Sequence, residues 1–112
     1  MEYPKIVLPR RCFVVTKNAG VSPRVQLARS DHREWLCELR AKAEQGRRYE
    51  GKDRFEERRI RMFWRAISFF VDKLCDSSTP IMINSVRGEM SRVRDYCEDA
   101  FNAAAKALFK VS

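Results

Sequence analysis

The sequence predicts a mainly α fold: a three-helix domain with antiparallel long helices two and three, preceded by an N-terminal extended or β-hairpin arm. Three observations predict it. Three of the four prolines (Pro4, Pro9 and Pro23) and a set of β-prone residues fall before residue 30. After that point apolar residues recur at the three- and four-residue spacing of amphipathic helices. Capping residues and glycines divide those repeats into separate segments.

The arm covers residues 1–29 and the helical domain residues 30–112. In the arm, Ile6-Val7-Leu8 and Arg11-Cys12-Phe13-Val14-Val15-Thr16 are β-prone. Asn18-Ala19-Gly20 reads as a hairpin turn, with Gly20 free to take the left-handed position. Val25 and Leu27 then alternate with polar neighbours, and Pro23 confines that strand to an edge.

Helix one is expected at about 31–45, with Ser30 or Asp31 as cap, Glu34 in capping-box register with Asp31, and Gly46 as terminator. Trp35, Leu36, Leu39 and Ala43 share its inner face. Helix two is expected at about 54–75, capped by Asp53 with Glu56 completing the box. Its core arc is Ile60, Phe63, Trp64, Ile67, Phe70, Val71 and Leu74. Helix three is expected at about 80–110, entered through Thr79-Pro80 or through a later start at Asn84 or Ser85. Ile83, Val86, Met90, Val93, Cys97, Ala100, Ala104 and Ala107 make one continuous stripe along it.

A chain of 112 residues forms one domain, and 45% apolar content is enough for a packed core. No apolar run approaches the roughly 18 residues of a membrane span, so no membrane is expected as partner. Met1–Lys5 has no signal-peptide pattern. Cys12, Cys37, Cys75 and Cys97 are widely spaced, without the close pairs of a zinc site, and read as free thiols. These points place the chain in a reducing intracellular compartment, cytoplasm or nucleus, without metal or cofactor.

Net charge is +8, and the arm holds most of the excess: Lys5, Arg10, Arg11, Lys17, Arg24 and Arg29 face the single acid Glu2. The helical body is nearly balanced. A basic arm on a balanced body suits a polyanionic partner. Within helix two, Arg54, Arg58, Arg61 and Arg65 follow spacings of four, three and four opposite the core arc. That stripe is about 16 Å long, and arginine suits forked contact with phosphate oxygens. The competing reading is an ordinary solvated face, with Glu57 placed to pair with Arg61.

Phe55, Met62 and Phe69 form a second, narrower apolar line spaced by seven. Either other parts of the chain cover it, or it is a homodimer or partner seam. His32 lies in the first turn of helix one and reads as a solvated side chain. No glycine-rich phosphate loop, nucleophile elbow or HExxH occurs, so no enzyme and no small-molecule substrate is expected.

Residues 24–74 resemble a ribbon-helix-helix module in the order of their elements: strand Arg24-Val25-Gln26-Leu27-Ala28, cap, helix, Gly46, helix. That resemblance implies that Arg24, Gln26 and Ala28 would face a major groove in a dimer. The connection from Gly46 to Asp53 and the length of helix two depart from the pattern, and the chain is not assigned to that family.

The expectation is therefore a small basic nucleic-acid-binding protein that favours duplex DNA or RNA. Its contacts would be Arg54, Arg58, Arg61 and Arg65, aided by Arg10, Arg11, Lys17 and Arg24. The alternative is an interaction module, a viral or bacterial effector or inhibitor or an assembly subunit, that docks on an acidic partner through Phe55, Met62, Phe69 and the arginines.

Overall fold

The computed structural model describes residues 2–17, 22–76 and 79–111. The expected turn at Asn18-Ala19-Gly20 and the break at Ser77-Ser78 lie outside them. The fold is mainly helical with a small antiparallel sheet. In chain order it runs β1 (Phe13–Thr16), β2 (Arg24–Leu27), a 3-10 turn (Ser30–His32), α1 (Arg33–Gly46), α2 (Arg54–Asp76), β3 (Ile81–Met82), α3 (Ile83–Met90) and α4 (Glu98–Phe109).

The sheet has the order β1-β2-β3, with both pairs antiparallel. Phe13 pairs with Leu27 and Thr16 with Arg24, as the arm's two β-prone runs require. β3 was not expected, and it makes β2 the central strand, correcting the edge position expected from Pro23, which precedes β2 and so removes no ladder donor from it. The two residues after Pro80 pair with the other edge of β2, Met82 opposite Arg24 and Ile81 opposite Val25. The hairpin is part of the core: Val25 is fully buried, and Tyr3, Ile6, Leu8 and Phe13 pack against the helices.

α1 and α2 form an antiparallel pair. Arg40 near the middle of α1 meets Asp72 near the end of α2 at 3.2 Å, while Gly46 at the end of α1 lies on Trp64. Asp53 caps α2 as expected, accepting from the Glu56 backbone N–H at 2.8 Å. The Asp31 cap does not form. A 3-10 turn precedes α1, no side chain caps either element, and Asp31 pairs with Arg29 at 3.0 Å instead. The whole expected core arc of α2 is buried, from Ile60 to Leu74.

The single long helix three is corrected. Among the described residues, its span holds two helices separated by turns at residues 91–97. Asp95 takes a left-handed backbone at φ 63° there, and Ser91 Oγ donates to the Arg87 carbonyl at 2.8 Å, competing with helix propagation. A helix over residues 80–110 would be about 46 Å long, beyond the 38 Å longest dimension of the molecule.

The break changes the direction of packing. α3 and the turns return along α2, with Lys73 meeting Glu89 at 3.2 Å and Arg58 reaching the carbonyls of Asp95 and Tyr96. α4 then runs in the same sense as α2, because Arg59 near the start of α2 pairs with Asp99 and Phe70 further along packs on Phe109. The expected antiparallel pairing of the last helix with α2 is thus corrected to a parallel one. The apolar period survives this change, since Ile83, Val86, Met90, Ala100 and Ala104 are all buried.

Candidate nucleic-acid interface

The first turns of α2 carry the basic stripe, and two neighbouring segments fold against them. The loop after α1 turns back so that the Tyr49 carbonyl accepts from Arg61 Nε at 2.6 Å. The Tyr49 hydroxyl donates to Glu56 Oε1 at 2.6 Å, and the Gly51 N–H donates to Glu57 Oε1 at 3.2 Å. The hydrogen bond to Glu56 holds the Tyr49 phenol above its ordinary pKa. From the other side, Arg58 makes long contacts of 3.4 Å to the Asp95 and Tyr96 carbonyls.

Together these place Arg54, Glu57, Arg58, Arg61, Met62 and Asp95 around one surface depression of about 480 Å³. The guanidiniums are held by backbone oxygen more than by carboxylate. Arg61 pairs with Glu57 at 4.0 Å, and the Arg54 side chain has no hydrogen bond or ion pair among the described residues. A carbonyl fixes a guanidinium in place without neutralising it. Of the neighbouring acids, Asp53 caps the helix, Glu56 holds Tyr49 and Glu57 holds Gly51, while Glu57 and Asp95 also line the depression beside the three arginines.

Arg65 lies outside the depression and is half-buried. Arg59, one step off the stripe, is an internal strut. It meets Asp99 Oδ2 at 2.8 Å, and the Tyr3 hydroxyl donates to the same oxygen at 2.5 Å.

Comparison with protein-family models, with curated proteins and with solved structures finds no match. The site therefore has to be read from its own geometry.

The arm residues do not join the stripe. Because α1 runs antiparallel to α2, its first residue lies toward the far end of α2. There Arg10 and Arg11 border Arg29 and His32, and they also border Leu108 and Lys110 at the end of α4. Arg24 is exposed on β2, and Lys17 is exposed just past the end of β1. The basic residues named from the sequence thus fall at two ends of the molecule.

The second apolar line is mostly covered. Met62 is buried, Phe69 packs against the core, and Phe55 is 64% exposed with the Arg59 guanidinium 4.8 Å from its ring. Arg29 and His32, which the sequence does not group with Arg10 and Arg11, line the same depression as they do. The signal for them is not local: the Ala28 N–H donates to the Cys12 carbonyl at 2.8 Å, and only that pairing brings residues 28–32 beside Arg10 and Arg11.

The four cysteines are free, with Cys12 buried and Cys37 exposed. Burial pushes the Cys12 thiol up to about 11. No helix is long and apolar enough to cross a membrane among the described residues.

Proposed function

We propose that this chain is a small, non-enzymatic nucleic-acid-binding protein that holds backbone phosphates of duplex DNA or RNA at the start of α2. The observation that carries this reading is the state of three guanidiniums. Arg54, Arg58 and Arg61 gather on one depression with Glu57 and Asp95, three positive groups against two negative; backbone carbonyls hold Arg58 and Arg61, and the one ion pair among them is the 4.0 Å contact of Arg61 with Glu57. They span about 10 Å of a rigid helix, which suits neighbouring phosphates better than a single small anion. Arg65, as placed, is not among the contacts.

The test is a salt titration of affinity for duplex DNA and duplex RNA by fluorescence anisotropy. Three neutralised phosphates give a slope of log K against log salt of about −2.7. Arg58→Ala with Arg61→Ala should reduce the slope by about 2. A wild-type chain that binds neither duplex at low salt sinks the reading.

A second reading rests on Phe55. An exposed aromatic ring with the Arg59 guanidinium 4.8 Å from its centre also suits an acidic protein surface with an apolar notch. Phe55→Ala would then abolish capture of that partner, whereas phosphate-backbone binding would lose little.

A further inference from the structure

A second basic depression lies at the opposite end of α2, and the proposal above does not use it. Its wall is Arg10, Arg11, Ala28, Arg29 and His32, around about 500 Å³. Three arginines and a histidine line it, and no acidic residue does. Asp31 stands beside it and meets Arg29 at 3.0 Å. Arg10 and Arg11 have no hydrogen bond or ion pair among the described residues. Like charges brought to one concavity repel each other, and an anion seated between them removes that repulsion.

Two further observations concern the same wall. Arg11 has a left-handed backbone at φ 56°, where glycine or asparagine is the usual choice. The turn nevertheless carries an arginine there, and Arg10 and Arg11 both line the depression. His32 Nδ1 is shielded from solvent and has no hydrogen-bond partner, which leaves a polar atom unused beside the cavity. The start of α1, uncapped by any side chain, adds partial positive charge at the same place.

We propose that this depression is a binding site for a phosphate monoester. Such a group carries a charge of about −1.5 to −2 and three acceptor oxygens. Two unpaired guanidiniums and a third shared with Asp31 match that charge, and their forked N–H groups match those oxygens. A backbone phosphodiester has a single charge and fits an extended line better than a closed cluster. The monoester can be the terminal phosphate of a nucleic-acid strand or belong to a free nucleotide. The site stands independently of the α2 interface and does not need it.

The experiment has two arms. In the first, inorganic phosphate is titrated into the full chain and backbone amide shifts are followed by NMR. Shifts should concentrate at residues 10–12 and 28–33. They should vanish in Arg10→Gln with Arg11→Gly, a variant whose glycine keeps the left-handed turn. In the second arm, affinities are compared for two short duplexes that differ only in a 5′-phosphate, and for a nucleoside monophosphate. Preference for the phosphorylated duplex by roughly tenfold, lost in the Arg10/Arg11 variant and kept in Arg58→Ala with Arg61→Ala, assigns the strand end as the source. Phosphate-induced shifts together with nucleotide binding, but no duplex preference, assign the free nucleotide. Absence of shifts at these residues, or shifts that persist in the Arg10/Arg11 variant, overturns the site.

Discussion

Arg61 donates from Nε to the carbonyl oxygen of Tyr49 at 2.6 Å, which ties the loop before α2 to the second turn of that helix. One guanidinium therefore has a structural bond and an outward charge. Arg61→Ala should lower stability by about 0.5–1.5 kcal/mol, with faster amide exchange at residues 49–53, and should also weaken duplex binding. Arg54 has no such bond among the described residues. Arg54→Ala should change stability by less than about 0.5 kcal/mol and reduce the salt slope by about 0.9. Urea unfolding and anisotropy on the same samples separate the two effects. An Arg54→Ala protein with the wild-type slope would count against the interface.

Gly46 sits against the indole of Trp64 so closely that a Cβ built on it would lie 2.2 Å from ring carbons. α1 can end there only because the residue has no side chain. Gly46→Ala must move either the helix end or a core aromatic that is only 5% exposed. A loss of about 1–3 kcal/mol is expected, the usual range for an overfilled core. The tryptophan emission should shift as the indole is displaced. Wild-type stability with unchanged emission would mean that the contact relaxes without strain.

Residues whose fate is decided within a few turns were legible from the sequence. The core arc of α2 follows from its period, the Asp53 cap from side-chain chemistry, and the arm's strands from alternating β-prone residues. The break after Met90 was not legible, because its turns keep Val93 and Cys97 facing the core and the apolar stripe continues across it. The direction of α4 depends on that break, so it was lost as well. The candidate site was legible in part. Arg54, Arg58 and Arg61 converge as helical spacing requires. The separation of Arg10 and Arg11 from them depends on the antiparallel course of α1, which no local pattern encodes.

Gly88 presents the opposite situation to Gly46. It lies inside α3, is exposed, and a Cβ there would meet nothing within 4 Å. Gly88→Ala should therefore gain the helix-propensity difference of about 0.5–1 kcal/mol with no steric loss. A thermal midpoint a few degrees higher is the expected reading, with duplex binding unchanged. A lower midpoint would show that α3 needs the backbone freedom of glycine.

Tyr3 stacks on Phe63 with ring centroids 5.5 Å apart, and its hydroxyl donates to Asp99, which also holds Arg59. Burial, then the bond to Asp99, raises the phenol above its ordinary 10.0. The unfolded chain thus releases this proton before the folded chain does. Stability from the bond is complete below pH 10.0 and falls as pH rises above it. Cys12 acts in the same direction from pH 9.0, because burial raises its thiol to about 11. Urea midpoints should therefore decline on the alkaline side. Tyr3→Phe keeps the ring stack and should flatten the decline above pH 10.0, whereas Cys12→Ala should flatten the part that begins near pH 9.0. If both variants lose stability with pH as steeply as the wild type, neither proton is held by the fold.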